Sequence, residues 1–244
     1  MLRTLRPIAS LLSGTALLLL GVGLLNTMIP LRGDALGYSK TLLGGLTSAY
    51  YAGYLLGTFL IPPLVRRIGH IRAFAFCTAA VACVVLIHPL SHSPWLWLTL
   101  RFLAGLALVG LYAIIESWLN ASAPAAKRGG VFAAYMVGNL GALAVGQQLL
   151  RLTDAPFVLF NVVALAVCAA TLPVVATRQA QPAPQSTPRL HLRRLFQLAP
   201  SAGAGALLSG LAMGAFWGLL PIYARAIGFD IQAIGTYMSV AIVG

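Results

Sequence analysis

The feature that most constrains this chain is a succession of apolar runs, each about as long as a bilayer is thick, separated by polar connections that are mostly short. The runs occupy residues 8–30, 41–65, 73–90, 95–119, 131–150, 157–176 and 204–224, and an eighth begins near Ile231. A helix needs about 20 mostly apolar residues to cross the hydrocarbon. Open strands would strand their backbone polar groups in lipid. Barrel strands alternate in polarity over about ten residues, which these runs do not. The expected fold class is therefore an all-α polytopic membrane protein. Only 8% of the 244 residues are charged, against about 25% in soluble domains, so a water-facing surface cannot be built from this composition. The net charge of +12 is dispersed between the runs rather than gathered into a face, which excludes nucleic acid as a partner.

Arg3 and Arg6 precede the first run, as in a secretory leader, but that run extends from Ile8 past Met28. Leader cores span about 7–15 residues, so the segment is read as a retained span. Eleven basic residues fall in one set of connections: Arg3, Arg6, Arg66, Arg67, Arg72, Lys127, Arg128, Arg178, Arg189, Arg193 and Arg194. The alternate set holds four: Arg32, Lys40, Arg151 and Arg225. The positive-inside rule then puts the N-terminus in the cytoplasm. The longest connection carries Pro182, Pro184 and Pro188 and reads as a flexible cytoplasmic linker, with 192–198 as a short helix on the membrane surface. Expected domains are thus a six-span bundle over 1–177, a linker over 178–203, and the start of a second bundle over 204–244. The three cysteines lie in apolar runs without metal-ligand spacing and read as packing residues.

The segment after the linker repeats the start of the chain. At an offset of 191, Gly23, Leu25, Pro30, Gly37, Gly44 and Gly53 fall on Gly214, Phe216, Pro221, Gly228, Gly235 and Gly244. Leu36-Gly37-Tyr38 falls on Ile227-Gly228-Phe229, and Ser48 on Ser239. Both segments leave the cytoplasm, as a parallel repeat of six spans requires, and two such halves form a known transporter plan. Because the eighth run is cut at Gly244, the expectation is a twelve-span protein truncated within its eighth span.

Two local patterns point to a family. Pro62-Pro63-Leu64-Val65-Arg66-Arg67-Ile68-Gly69-His70-Ile71-Arg72 resembles the loop G-x-L-a-D-R-x-G-R-[RK] that joins spans two and three in the major facilitator superfamily. Leu64, Arg67 and Gly69 are in register; Pro62 replaces the first Gly and Arg66 the Asp. Arg101-x-x-x-Gly105 in span four is similar to the superfamily's R-x-x-x-G. Gly69-His70-Ile71-Arg72-Ala73-Phe74 and Glu116-Ser117-Trp118-Leu119-Asn120 resemble the bacterial YcaD-type subgroup. The drug/proton antiporter signature of span five is not reproduced in Gly138–Gly146. The resemblance implies a 6+6 helical fold, a bacterial inner-membrane location, and transport of a small-molecule substrate. The loop carrying Arg66, Arg67, Gly69 and Arg72 is expected to form part of a cytoplasmic gate.

Arg101 carries the most information. An arginine inside a span costs at least about 2.5–3.5 kcal/mol to insert, so it is expected to face a cavity or a partner. Glu116 follows fifteen residues later on the same helix, about 60° away in projection and about 22 Å along the axis. That separation precludes a direct pair and puts Glu116 level with Arg66, Arg67 and Arg72, where an ion-pair latch at the cytoplasmic gate is expected. Asn26 and Asn139 lie deepest among the uncharged polar residues and are read as cavity lining, with interhelical bonding the competing reading. Tyr50, Tyr51 and Tyr54 could present a polar edge to the solute path, or simply pack. Glycines of spans one and five, among them Gly14, Gly21, Gly23, Gly138, Gly141 and Gly146, are expected to let backbones approach. Trp95 and Trp97 read as an interfacial belt, and His70 as a loop residue at the headgroups.

No P-loop is visible and no cofactor or metal is expected. The leading expectation is a monomeric secondary transporter working by alternating access in a lipid bilayer, driven by a gradient, with a proton as the coupling ion. The competing readings are a transporter-like receptor, a non-transporting fragment, or an intramembrane enzyme, for which no nucleophile–base pair is evident.

Overall fold

The computed structural model describes residues 8–177, Pro182 and residues 197–244. The expected surface helix over 192–198 lies mostly outside the described residues, as do Arg3, Arg6, Arg178, Arg189, Arg193 and Arg194. The long helices are α1 (Ala9–Ala35), α2 (Lys40–Ile68), α3 (His70–Ile87), α4 (Pro94–Ser122), α5 (Arg128–Gln148), α6 (Pro156–Val175), α7 (Pro200–Ala226) and α8 (Ile231–Val243). Short 3-10 turns extend α3 and α5 by three and four residues. Six of these helices, α1 and α3 to α7, are long and apolar enough to cross a membrane. Helix α2 has the length, with 29 residues, but its tyrosines and glycines make it less apolar. Helix α8 is 13 residues long.

The repeat is reproduced in the backbone. Helices α1 and α7 are both 27 residues long and begin and end at positions 191 apart. Each ends in a glycine with positive φ, Gly37 at 77° and Gly228 at 97°, a conformation that costs glycine little because it has no Cβ. The orphan donors at the two turns find matching acceptors: Tyr38 N–H bonds to the Gly33 carbonyl and Phe229 N–H to that of Ala224. The helix that follows is capped in both copies. Ser39 Oγ accepts from Leu42 N–H at 3.2 Å and Asp230 Oδ1 accepts from Ala233 N–H at 2.6 Å. Each such cap satisfies one of the four free N–H groups of a helix start.

Without a hydrophobic drive between helices in lipid, association depends on close packing. The main pairings are α2 with α4, α1 with α5 and α6, and α3 with α4 and α6. At the α2–α4 crossing Gly53 faces the Phe102 carbonyl and Gly105 faces the Tyr50 carbonyl, with no room for a Cβ on either. Gly23 and Gly146 bring α1 and α5 together in the same way, whereas Gly138 and Gly141 meet nothing within 4 Å and do not serve the close packing expected of them.

Two other expectations are corrected. Trp97 is not interfacial: it is 1% exposed, lies edge-on to Tyr38, His88 and Phe160, and donates from Nε1 to the Ser91 carbonyl at 2.8 Å. Trp95 does point outward, at 79% exposed. Residues two apart on a helix differ by about 200°, so the two indoles cannot share a face. His70 is buried, not a headgroup residue. Gly69 alone joins α2 to α3, at φ 83° and ψ 167°, and this tight junction tucks the His70 ring against Trp118 and within 3.1 Å of Ser117 Oγ.

Candidate functional site

The first helix of each copy meets α2, α4 and α5 around a cavity of about 220 Å³. Its polar lining is Asn26 from α1, Thr47, Tyr50, Tyr51 and Tyr54 from α2, and Arg101 and Tyr112 from α4. Leu43, Leu46, Leu143 and Trp217 supply apolar wall. The tyrosines of α2 reach the cavity because positions 47, 50, 51 and 54 follow the i, i+3, i+4, i+7 spacing of one helix face. Their rings touch in series, with centroids 5.1 Å apart for Tyr50–Tyr51, 6.1 Å for Tyr50–Tyr54 and 6.3 Å for Tyr54–Tyr112.

Arg101 is 5% exposed. Its guanidinium carbon lies 4.6 Å from the centroid of the Tyr50 ring, a contact worth about 0.5–2 kcal/mol. Neither Nε nor Nη1 has a hydrogen-bond partner among the described residues. The chain's four acids are Asp34, Glu116, Asp154 and Asp230, and none of them lines the cavity. The penalty for desolvating an ion is several kcal/mol after relaxation, so one cation–π contact leaves this charge undercompensated. The cavity wall therefore carries a guanidinium with unpaired, buried donors and no counter-charge from the described residues.

Of the residues expected to line a solute path, Arg101, Asn26, Tyr50 and Tyr54 converge here, and Asn139 does not. Asn139 is half-buried and lies beside Tyr135, which Glu116 of α4 also approaches. Arg66, Arg67 and Arg72 are exposed around the Gly69 junction, the end of the bundle at which α4 carries Glu116 and Ser117 meets His70. Gln147 makes an interhelical bridge, accepting from Thr27 Oγ1 at 2.5 Å and donating to the Gly23 carbonyl at 2.8 Å. Tyr112, Thr47 and Trp217 are additions. Tyr112 stands eleven residues after Arg101, about 20° beyond three full turns, a spacing that could have revealed it. Trp217 is the repeat partner of Asn26, 191 residues on.

The copies touch at one end of this cavity. Asp34 Oδ2 lies 4.0 Å from Arg225 Nε. Gln148 Nε2 donates to Ser239 Oγ at 2.6 Å, Ser239 Oγ donates to the Ala144 carbonyl at 2.7 Å, and Arg151 Nη2 donates to Thr236 Oγ1 at 2.5 Å. Leu31, Ala224, Ile234 and Met238 form a small buried cluster beside them. Toward the other end the contact is lost: Leu207, Leu208 and Leu211 of α7 are 61%, 68% and 73% exposed.

Comparison with known proteins agrees with this architecture. The chain superposes on the nucleoside transporter NupG with a TM-score of 0.69 at 13% identity, over 96% of this chain and 64% of that one, and equally well on its D323A mutant. Among sequence relatives, an uncharacterized MFS-type transporter of Enterobacter sp. strain 638 is 33% identical over 247 residues. The YcaD transporters of Escherichia fergusonii and of Escherichia coli strain UMN026 are each 31% identical over 241 residues. All three alignments cover 97% of this chain, which spans 63% of the length of those relatives. These bacterial relatives are named as MFS-type transporters, and together with the six membrane-length helices they indicate a multi-pass protein of the bacterial inner membrane. The sequence profile of the Major Facilitator Superfamily matches residues 11–244, and the chain belongs to that superfamily.

Proposed function

We propose that this chain forms the solute-binding core of a secondary active transporter that moves a small molecule by alternating access with proton coupling. The observation that carries the reading is the cavity between α1, α2, α4 and α7, closed at the Asp34 end and holding the buried Arg101. Buried ionisable residues inside spans mark solute and ion routes, and a site between repeat halves is where a rocking transporter binds its cargo. With the N-terminus in the cytoplasm, as the basic connections indicate, the Asp34 end faces outward and the conformation is inward-facing.

Glu116 supports the coupling step. It is an acid in the body of a long helix, beside Tyr135 of α5, and taking up a proton would end its attraction for the arginines of the neighbouring loop. Together with Arg66, Arg67, Gly69 and Arg72 it forms the cytoplasmic gate, where the ionised carboxylate pairs with one of the arginines and protonation releases it. Binding energy that differs between the two conformations is what shifts their balance. The test is uptake of radiolabelled solutes by proteoliposomes under an imposed proton gradient, using wild type and Arg101→Ala. Gradient-driven flux that Arg101→Ala abolishes is expected. A protein that turns over lipid or peptide without moving solute, or flux indifferent to Arg101, overturns the reading.

A further inference from the structure

We infer that the solute is a small organic monoanion with a planar aromatic body, its carboxylate held by Arg101 and its ring seated among Tyr50, Tyr54, Tyr112 and Trp217. The inference rests on the reading of this cavity as the solute site and adds the chemistry of what enters it.

Charge sets the sign. Arg101 is 5% exposed, its Nε and Nη1 are without partners, and none of the chain's four acids lines the space it faces. A planar guanidinium presents parallel N–H donors that match a carboxylate's two oxygens. A cationic solute would add like charge to an uncompensated cation, and a neutral solute would leave that cation as it is. Charge also sets the number. Arg101 is the one cationic side chain among the described residues lining the cavity, so a dianion such as a phosphate monoester would exchange an unpaired positive charge for an unpaired negative one.

Shape sets the rest. Aromatic rings pack edge-to-face or offset with centroids 4.5–7 Å apart, the spacing already present along Tyr50, Tyr54 and Tyr112. Trp217 closes the wall from the other copy, and Asn26 and Thr47 add hydrogen-bonding groups for a ring substituent. The volume of about 220 Å³ falls below the range of about 300–1,000 Å³ typical of drug-sized ligands. That favours a single ring over a fused or extended molecule.

The experiment is isothermal titration calorimetry on the purified protein in a neutral maltoside, with benzoate, benzamide, benzylammonium and acetate as probes. Benzoate is expected to bind at least ten-fold tighter than benzamide, with acetate weaker than benzoate and benzylammonium not competing. Arg101→Gln is expected to erase the preference for benzoate over benzamide, and Arg101→Lys to restore part of it. If Arg101→Gln does not fold, the comparison of the four probes on wild type decides the matter alone. Benzamide or benzylammonium binding as tightly as benzoate overturns the charge assignment while leaving the cavity as a solute site. Benzoate affinity unchanged in a folded Arg101→Gln protein overturns it too, because the anion then binds elsewhere. If no probe binds a folded wild-type protein, the cavity is not an anion site and the functional reading beneath it loses its support.

Discussion

At the scale of single residues, two glycines are bound to their positions by different physics. Gly69 occupies φ 83° and ψ 167°, a region that is nearly glycine-only and costs other residues about 1–3 kcal/mol. Gly69→Ala should therefore lower stability by about that amount in chemical unfolding followed by tryptophan fluorescence in detergent, even though the loop is at the surface. Gly105 is constrained by space: a Cβ there would run into the Tyr50 carbonyl, and rigid backbone cannot yield as a side chain can. Overpacking usually costs about 1–3 kcal/mol. Gly105→Val should reach at least the top of that range and show as loss of the monodisperse peak in size-exclusion chromatography. Arg101 was legible from sequence because an arginine in an apolar run has few places to go. Asn139 was not, since depth along a helix does not say which way a side chain faces; it lies beside Tyr135 and outside the cavity lining.

At the scale of helices, element positions follow closely from hydropathy, and the repeat offset anticipates the matching bounds of α1 and α7. Helix faces are harder to read when nearly every position is apolar. Trp97 and Trp95 look alike in a list of residues, yet one is packed against His88 and Phe160 and the other points outward. Tyr112 was passed over for a related reason, because tyrosine serves equally as packing and as a polar lining. Polar bridges between helices are modest in this setting. Gln147 joins α5 to α1 through Thr27 and Gly23, and such bonds average about 0.6 kcal/mol with a maximum near 1.7. Gln147→Leu should cost no more than that in unfolding measurements, since Thr27 can bond back to its own helix. A loss of several kcal/mol would mean that Gln147 does more than join two helices.

For the whole molecule, the closed end is secured by contacts that must separate if the cavity is to open there. Asp34 and Arg225 are 37% and 42% exposed, so their pair contributes at most about 1 kcal/mol. That is enough to shift a balanced two-state equilibrium about five-fold. Asp34→Arg should favour the state open at this end, and the swap Asp34→Arg with Arg225→Asp should restore the original balance. Distances between spin labels on α1 and α7 near this end, read in both variants, check the prediction; unchanged distances would remove the pair from the gate. A short bifunctional thiol reagent across cysteines at 34 and 225, with Cys83 and Cys168 replaced because both are exposed, should hold this end shut and stop transport.

Positions 34 and 225 are also counterparts in the duplication, separated by the same 191 residues as Pro30 and Pro221. Counterparts that meet must lie beside the axis of symmetry, where a duplicated gene would at first have set identical side chains face to face. Two aspartates there, or two arginines, would repel. Opposite signs let each half tell its sibling from its own twin. The same substitutions that made the pair attractive would have closed the way back to a symmetric assembly of identical halves.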